Sequence, residues 1–326
     1  MGKFQDTLAG NELLQQRIAH SKEFLADVRA AITKFKVGQA SELLVFAAGS
    51  LGRFETGRRS DLDLFLIARS DDCGQGTSKL SRLSEIEYFA DLIRLNENLE
   101  LPRFSGDGRY LKIHPLDDLI RATGSPRDDS ENLFTTRILL LLESQWLSND
   151  KLYKDSLAQV ASHYFRDKGG KDNFQPLFLL NDLLRYWRTI CLNYEQDRSN
   201  TDKPWWKKNL NLKFSRKLTV FSTVLALVTG KIVTEPELLS FVDKVPLERL
   251  AFTLDGIGDD ALLTGFAQFL DDYESFLAAK SHSELEEKRR EIIENLRGKA
   301  AHFGAFMHSA FESDKLNKAL VQYVMI

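Results

Sequence analysis

Asp61 and Asp63 stand two residues apart in the run Ser60-Asp61-Leu62-Asp63-Leu64. On an extended strand that spacing sends both carboxylates to one face, about 7 Å apart, while Leu62 and Leu64 point into a core. Two carboxylates side by side on an apolar strand repel each other and lose solvation unless a cation neutralises them. A hard divalent ion does so. Mg²⁺ suits oxygen ligands and also takes substrate phosphates, with Mn²⁺ as the alternative. Upstream, Gly49 permits close backbone approach, and Ser50 opens a helix whose N–H groups suit a phosphate. Metal-holding carboxylates and a phosphate cradle thus fall within residues 43–67, LLVFAAGSLGRFETGRRSDLDLFLI.

The elements that must position these groups follow from the apolar pattern. Leu43–Ala48 and Leu62–Ile67 predict two short buried strands, separated by a helix-length polar stretch, Leu51–Arg59. Before them, Leu13, Leu14, Ile18, Phe24, Leu25, Val28 and Ile32 recur at helical spacing, so one or two amphipathic helices precede the site. After them, Leu80–Leu99 predicts a helix, Pro102–Gly108 a turn-rich segment and Arg109–His114 a third strand stopped by Pro115. The expected order is α-β-α-β-α-β, a compact α/β domain.

Gly49-Ser50, followed after ten residues by Asp61-Leu62-Asp63-Leu64, resembles the signature of the DNA polymerase β-like nucleotidyltransferase superfamily. The extended form, Gly49-Ser50-Leu51-Gly52-Arg53-Phe54-Glu55 with Ser60-Asp61, is most similar to three branches. These are the protein uridylyl- and adenylyltransferases, the minimal nucleotidyltransferases and the aminoglycoside-type transferases. The resemblance covers residues 40–70 closely and extends loosely to 120. It implies a mixed sheet, Mg²⁺ on Asp61 and Asp63, and Gly49 and Ser50 at the triphosphate of an NTP. The superfamily usually carries a third carboxylate on the next strand, to complete the metal site or act as base. Arg109–His114 has none, and its equivalent side carries Lys112 or His114. Three alternatives stand: Asp107 reaches in from the turn, His114 is the base, or the site runs on two acids.

A chain of 326 residues with 43% hydrophobic and 28% charged residues can bury a real core, and its length suggests about two domains. Net charge is −3 and pI about 6.1, so no global footprint for nucleic acid appears. Cys73 and Cys191 are the only cysteines, which fits a reducing cytoplasm rather than a disulfide framework. The N-terminus lacks signal-peptide features, and no apolar run is long enough to span a bilayer, so no membrane partner is expected. The predicted division is 1–124, a nucleotidyltransferase catalytic domain with N-terminal helices, and 125–326, an all-helical domain closing the nucleotide cleft.

The second part carries helical periodicity in Leu133–Leu147, Leu152–Phe165, Phe174–Glu195, Phe214–Leu227, Glu235–Val242, Leu262–Leu277, Glu284–Phe303 and Phe306–Val324, with no strand-like alternation between them. In Phe174–Glu195, Leu177, Leu184, Trp187, Cys191 and Tyr194 form an apolar stripe, with Asn181, Arg185 and Arg188 on a separate polar face. Acids are absent from Lys203 to Val233, where Lys213, Arg216 and Lys217 cluster. Triphosphate charge calls for cations. Arg53, Arg58 and Arg59 are available in the first domain, and Arg185, Arg188, Arg216 and Lys217 are expected to face Asp61 and Asp63 from the second. Arg53 is also near enough to Glu55 to engage it. Arg297 and His302 resemble the R-x4-H motif of HEPN ribonuclease-like domains. The expected activity is Mg²⁺-dependent transfer of NMP to an acceptor hydroxyl, with pyrophosphate release. A protein acceptor is favoured, and an RNA end or a small molecule stays open. The alternative is a catalytically silent regulatory or antitoxin-type binding protein.

Overall fold

In the computed structural model the two apolar runs around the aspartates are neighbouring antiparallel strands. Here β1 (Leu43–Ala47) pairs with β2 (Leu64–Ala68), from Leu43↔Ala68 to Ala47↔Leu64. The structure describes residues 2–57, 60–69, 80–104, 108, 111–196, 198, 205–281 and 289–325. The chain divides into two units, Arg17–Arg166 and Met1–Gln16 with Asp167–Ile326. The sheet-bearing unit therefore runs past residue 124. The division itself falls inside a helix, since α1 (Lys3–Ala9) is followed by α2 (Glu12–Ile32).

Within Arg17–Arg166 the chain continues through the single turn α3 (Lys36–Gln39), β1, the single turn α4 (Gly49–Gly52), β2, and α5 (Arg82–Asn98), which the Ser81 side chain caps. Then come β3 (Ile113–Pro115), α6 (Leu116–Arg121), α7 (Pro126–Ser130), α8 (Leu133–Leu142), β4 (Gln145–Ser148) and α9 (Asp150–Phe165). The sheet order is β3-β2-β1-β4, with β3 parallel to β2 and β4 antiparallel to β1. A small four-stranded mixed sheet with flanking helices is thus present. Pro115 is the last residue of β3 rather than the residue beyond it.

Every residue of β1 and β2 is buried, so both sheet faces are covered. On one face Leu43, Val45, Ala47, Leu64 and Leu66 join Leu25, Val28 and Ile32 of α2 and Leu92 and Leu95 of α5 in one core. On the other, the Phe46 and Phe65 rings stack at 5.4 Å. The α8 segment is apolar nearly all round and accordingly buried along almost its whole length.

One strand departs from the helical periodicity. The pattern predicts one helix to Leu147, but the chain leaves it at Leu142 and pairs Gln145–Ser148 with β1. No Gly or Pro marks the break. Glu143 is instead held by a side chain ninety residues away, described below. Nearby, Arg137 is fully buried and bidentate to Asp128, with bonds of 2.9 and 3.1 Å, and also donates to Tyr164 Oη at 3.0 Å and Leu119 O at 2.7 Å. That pair joins α6, α7, α8 and α9 through one guanidinium.

The other unit is helical among its described residues. It contains α10 (Leu177–Gln196), α11 (Trp205–Asn211), a π turn at Leu212–Arg216, α12 (Lys217–Val228), α13 (Glu235–Val242) and α14 (Pro246–Ile257). It ends with α15 (Leu263–Ser281), α16 (Arg289–Glu312) and α17 (Lys318–Met325). Where the pattern predicts two helices, 284–303 and 306–324, α16 runs unbroken through Gly304. A glycine inside a helix costs about 1 kcal/mol. Packing outweighs it here, because Phe303 stacks on Phe269 at 4.4 Å and Phe306 lies at 5.9 Å from the same ring. The buried stripe of α10 also differs from the expected one: it is Leu179, Leu180, Leu183, Leu184 and Tyr186, while Leu177 is exposed and Trp187, Cys191 and Tyr194 are half-buried. Residues Leu179, Leu180, Leu183 and Leu184 form a compact i, i+1, i+4, i+5 patch, which buries more apolar area per turn than a single line of residues.

Because Arg137 is the cation against the buried Asp128, Arg137→Met is expected to destabilise the chain by about 3–5 kcal/mol. Urea unfolding checks this, and an Arg137→Met, Asp128→Leu double variant should recover most of the loss.

Candidate functional site

The site is built where β1 runs out. The Ala48 N–H donates to Asp63 O at 2.9 Å, extending the β1–β2 ladder by one step and laying Asp63 beside the turn. Gly49 follows with φ +65°, a left-handed conformation that glycine adopts without steric cost. A Cβ placed on Gly49 would overlap Oδ2 of Asp63. The glycine therefore makes room for that carboxylate as well as for the turn. Leu62 and Leu64 are 2% and 4% exposed, whereas Asp61 and Asp63 are half-buried, so the expected alternation holds although the strand proper begins at Leu64.

Within the helix-length stretch Leu51–Arg59, the turn of α4 ends at Gly52 and residues 53–57 are not helical. The Gly52 N–H donates to Ala48 O (3.2 Å), and the Glu55 N–H to Ser50 O (2.8 Å). Phe54, at φ +56°, ends the helical path. The turn rests on three supports. Arg53 is 5% exposed and donates through Nε to Glu55 (2.9 Å) and through Nη1 to Glu143 (2.6 Å). A Cβ on Gly52 would overlap the Glu143 carbonyl oxygen. From α2, Ser21 Oγ accepts the Thr56 N–H at 3.0 Å and lies 2.7 Å from Thr56 Oγ1. Arg53 is thus held by carboxylates beneath the turn, as its closeness to Glu55 anticipated. Ser60 then leads into Asp61, its Oγ accepting the Gly57 N–H at 2.9 Å.

The third strand brings no carboxylate. In β3, His114 pairs with Ile67 and so shares the sheet face of Phe65 and Asp63, while Lys112 is exposed. His114 is 2% exposed, and its buried Nδ1 has no hydrogen-bond partner among the described residues. Burial, assisted by the Lys112 charge, pushes its pKa down to about 4, so the ring is neutral at pH 7. Beyond Pro115, Asp117 pairs with Arg121 and Asp118 with Arg127, each at 3.0 Å. Asp107, Arg58 and Arg59 lie outside the described residues. Among the described residues no three His, Cys, Asp or Glu side chains converge as a metal cluster.

The other basic candidates belong to the other unit. Arg185 lies 3.7 Å from Asp182 on α10, and Arg188 is exposed. Arg216 is half-buried at the end of the π turn. Lys217 follows it, half-buried, with Nζ at 5.7 Å from the Phe303 ring centre. Burial and the neighbouring Lys213 lower its pKa. Arg297 is exposed, whereas His302 Nδ1 and Lys299 Nζ each lie 3.3 Å from the buried Asp272.

The structure thus sets Asp63 against Gly49, with Ser50 the next residue of the turn and Asp61 on the same segment as Asp63. Glu143 and Ser21, which position them, carry no local sequence signal. The chain matches no protein-family model, and a search of curated proteins likewise finds no match. No helix among the described residues is long and apolar enough to cross a membrane.

Two outcomes follow from this geometry. Gly49→Ala forces a left-handed alanine and displaces the Asp63 carboxylate, at about 1–2 kcal/mol for the backbone alone. In a double-mutant cycle read by urea unfolding, Asp63→Ala should relieve part of that loss. His114 makes stability pH-dependent. Its folded pKa is depressed, so its contribution is present above about pH 6.5 and is lost as pH falls toward about 4, to the extent of about 3 kcal/mol. His114→Leu should flatten stability measured between those pH values.

Proposed function

We propose that the chain is a nucleotidyltransferase that moves NMP from an NTP to an acceptor hydroxyl. The observation that carries this reading is the packing of the Asp63 carboxylate over Gly49 at the end of β1, with Ser50 beside it. That contact joins the phosphate-cradle residues to the acidic pair, two halves of a motif separated by ten residues of sequence. The sheet-bearing unit would then be a nucleotidyltransferase fold of the DNA polymerase β-like kind.

The donor set suits Mg²⁺, or Mn²⁺ as the alternative. Asp61 and Asp63 offer hard oxygens, and a Mg²⁺ site typically uses one or two carboxylates and leaves the remaining positions to phosphate and water. When bound, the ion would supply charge neutralisation at the triphosphate and at the leaving oxygens. Gly49 and Ser50 bind the triphosphate, the turn's glycine admitting phosphate oxygens close to the backbone. Arg53 acts through position, holding the turn against Glu143. The acceptor oxygen forms the new bond to the α-phosphorus, the bond to the β-phosphate bridging oxygen breaks, and pyrophosphate leaves. For the acceptor's proton the same three alternatives stand: Asp107, the neutral His114, or a site that runs on Asp61 and Asp63 alone. What supports a protein acceptor is the acidic balance of the chain and the similarity of the Gly49–Glu55 segment to the protein-modifying branch; RNA and small molecules are the other classes.

A second reading, a silent nucleotide-binding regulator, is favoured by one observation: the described third strand carries no carboxylate. Incubation with α-labelled NTP, with and without Mg²⁺, separates the two. The enzyme releases pyrophosphate and leaves label on an acceptor; the regulator binds NTP and does neither. Asp61→Asn or Asp63→Asn is expected to lower release on the order of 100-fold or more. Urea unfolding in metal-free buffer serves as the folding control. Near wild-type turnover in either variant removes the proposal.

A further inference from the structure

The unit of residues 1–16 and 167–326 contains a cavity of about 630 Å³ between the end of α12, α13 and α14. That volume lies in the range of small-molecule sites, roughly 300–1,000 Å³. Its walls are largely apolar, with Ala226, Ile232, Pro236, Phe241 and Phe252 among them. Phe252, 46% exposed, belongs to this lining.

Four charged side chains border this space: Glu237, Asp255, Lys231 and Lys244. The two acids are already engaged. Asp255 accepts the N–H groups of Phe4 (2.9 Å) and Gln5 (3.1 Å) and the Gln5 side-chain amide (2.9 Å), tying down the start of α1. Glu237 accepts the N–H groups of Val233 (2.8 Å) and Thr234 (2.9 Å) in the capping box of α13. The bond from Val233, followed by those from Thr234, outweighs burial and lowers its pKa.

The two lysines are differently placed. Lys231 Nζ donates to Gly256 O at 2.5 Å, and Lys244 Nζ to Ser240 O at 2.8 Å while lying 5.0 Å from the centre of the Phe252 ring. An ammonium carries three donors, so each retains capacity beyond its carbonyl. Neither is ion-paired with a carboxylate among the described residues. Apolar walls, satisfied acids and two cations without a counter-ion describe a receptor for an anion with an apolar body.

We propose that this cavity binds a small amphipathic carboxylic acid, its apolar body against Ile232, Phe241 and Phe252 and its carboxylate at Lys231 and Lys244. A cationic ligand would find both acids already hydrogen-bonded to backbone, and a wholly polar anion would leave the aromatic wall uncovered. The site is independent of the nucleotidyltransferase reading.

Calorimetric titration of the full chain with decanoate and with decanol tests the assignment, since the two differ in the charged head and share the apolar body. Saturable binding of decanoate at one site, roughly tenfold or more tighter than decanol, is expected from a charge-assisted contact. Lys231→Gln with Lys244→Gln should erase that preference, and Phe252→Ala should weaken both ligands. All three side chains stand at the surface or the cavity rim, so an unchanged urea midpoint serves as the folding control. The proposal is overturned by absent saturable binding of decanoate, by equal affinity for decanol, or by a preference that survives the double lysine substitution.

Discussion

A buried guanidinium between two carboxylates is the constraint on which the site depends. Taking charged groups out of water costs several kcal/mol per ion, and the attraction between them offsets this only when geometry and hydrogen bonding are good. Arg53 meets that condition with Glu55 at 2.9 Å and Glu143 at 2.6 Å, all three side chains being at most 5% exposed. The consequence is spatial. Glu55 follows the α4 turn, whereas Glu143 stands between α8 and β4, so one side chain ties the turn to the start of the edge strand. With Gly52 packed on the Glu143 carbonyl, the turn has little freedom to move away from Asp63.

The same interaction explains what could and could not be read from residue order. Period-two and period-3.6 patterns act over a few residues, and the elements they govern were legible: β1, β2, α5, α9 and α13 appear close to their expected limits, and α2 carries the apolar positions read before the site. So was the union of Gly49, Ser50 and Asp63, because Leu62 and Leu64 place the aspartates by alternation alone. The end of α8 was not legible. Leu139 to Leu147 keeps a helical rhythm, and only the distant Arg53 distinguishes Glu143 as a stop. For the same reason α4 ends after one turn, since Arg53 and Glu55 turn inward to reach a partner whose position local sequence does not encode. In α16 the balance reverses: Gly304 suggests a break, and stacking of Phe303 and Phe306 on Phe269 carries the helix through it.

Buried polarity divides into two kinds here. Arg137 with Asp128 and Arg53 with Glu55 and Glu143 are networks in which strong donors meet strong acceptors, and they hold segments remote in sequence. His114 is the opposite case, a neutral ring with one buried nitrogen that has no partner among the described residues. Unsatisfied polar atoms are uncommon in folded proteins and carry a desolvation cost of about 1–3 kcal/mol. Its place on the sheet face that Asp63 shares makes it the polar group nearest in register to the acidic segment on β3.

The ends of the sheet have a consequence for how the protein behaves in a crowded solution. Open strand edges offer unpaired backbone groups to other chains and invite edge-to-edge aggregation. Here β3 is three residues long and ends on Pro115, which has no N–H to offer. The opposite edge, β4, is four residues long, and its pairing with β1 is interrupted by a register shift at Val45/Phe46. The long, regular ladder between β1 and β2 lies inside these two short borders, so among the described residues the sheet offers a neighbouring molecule no extended open strand.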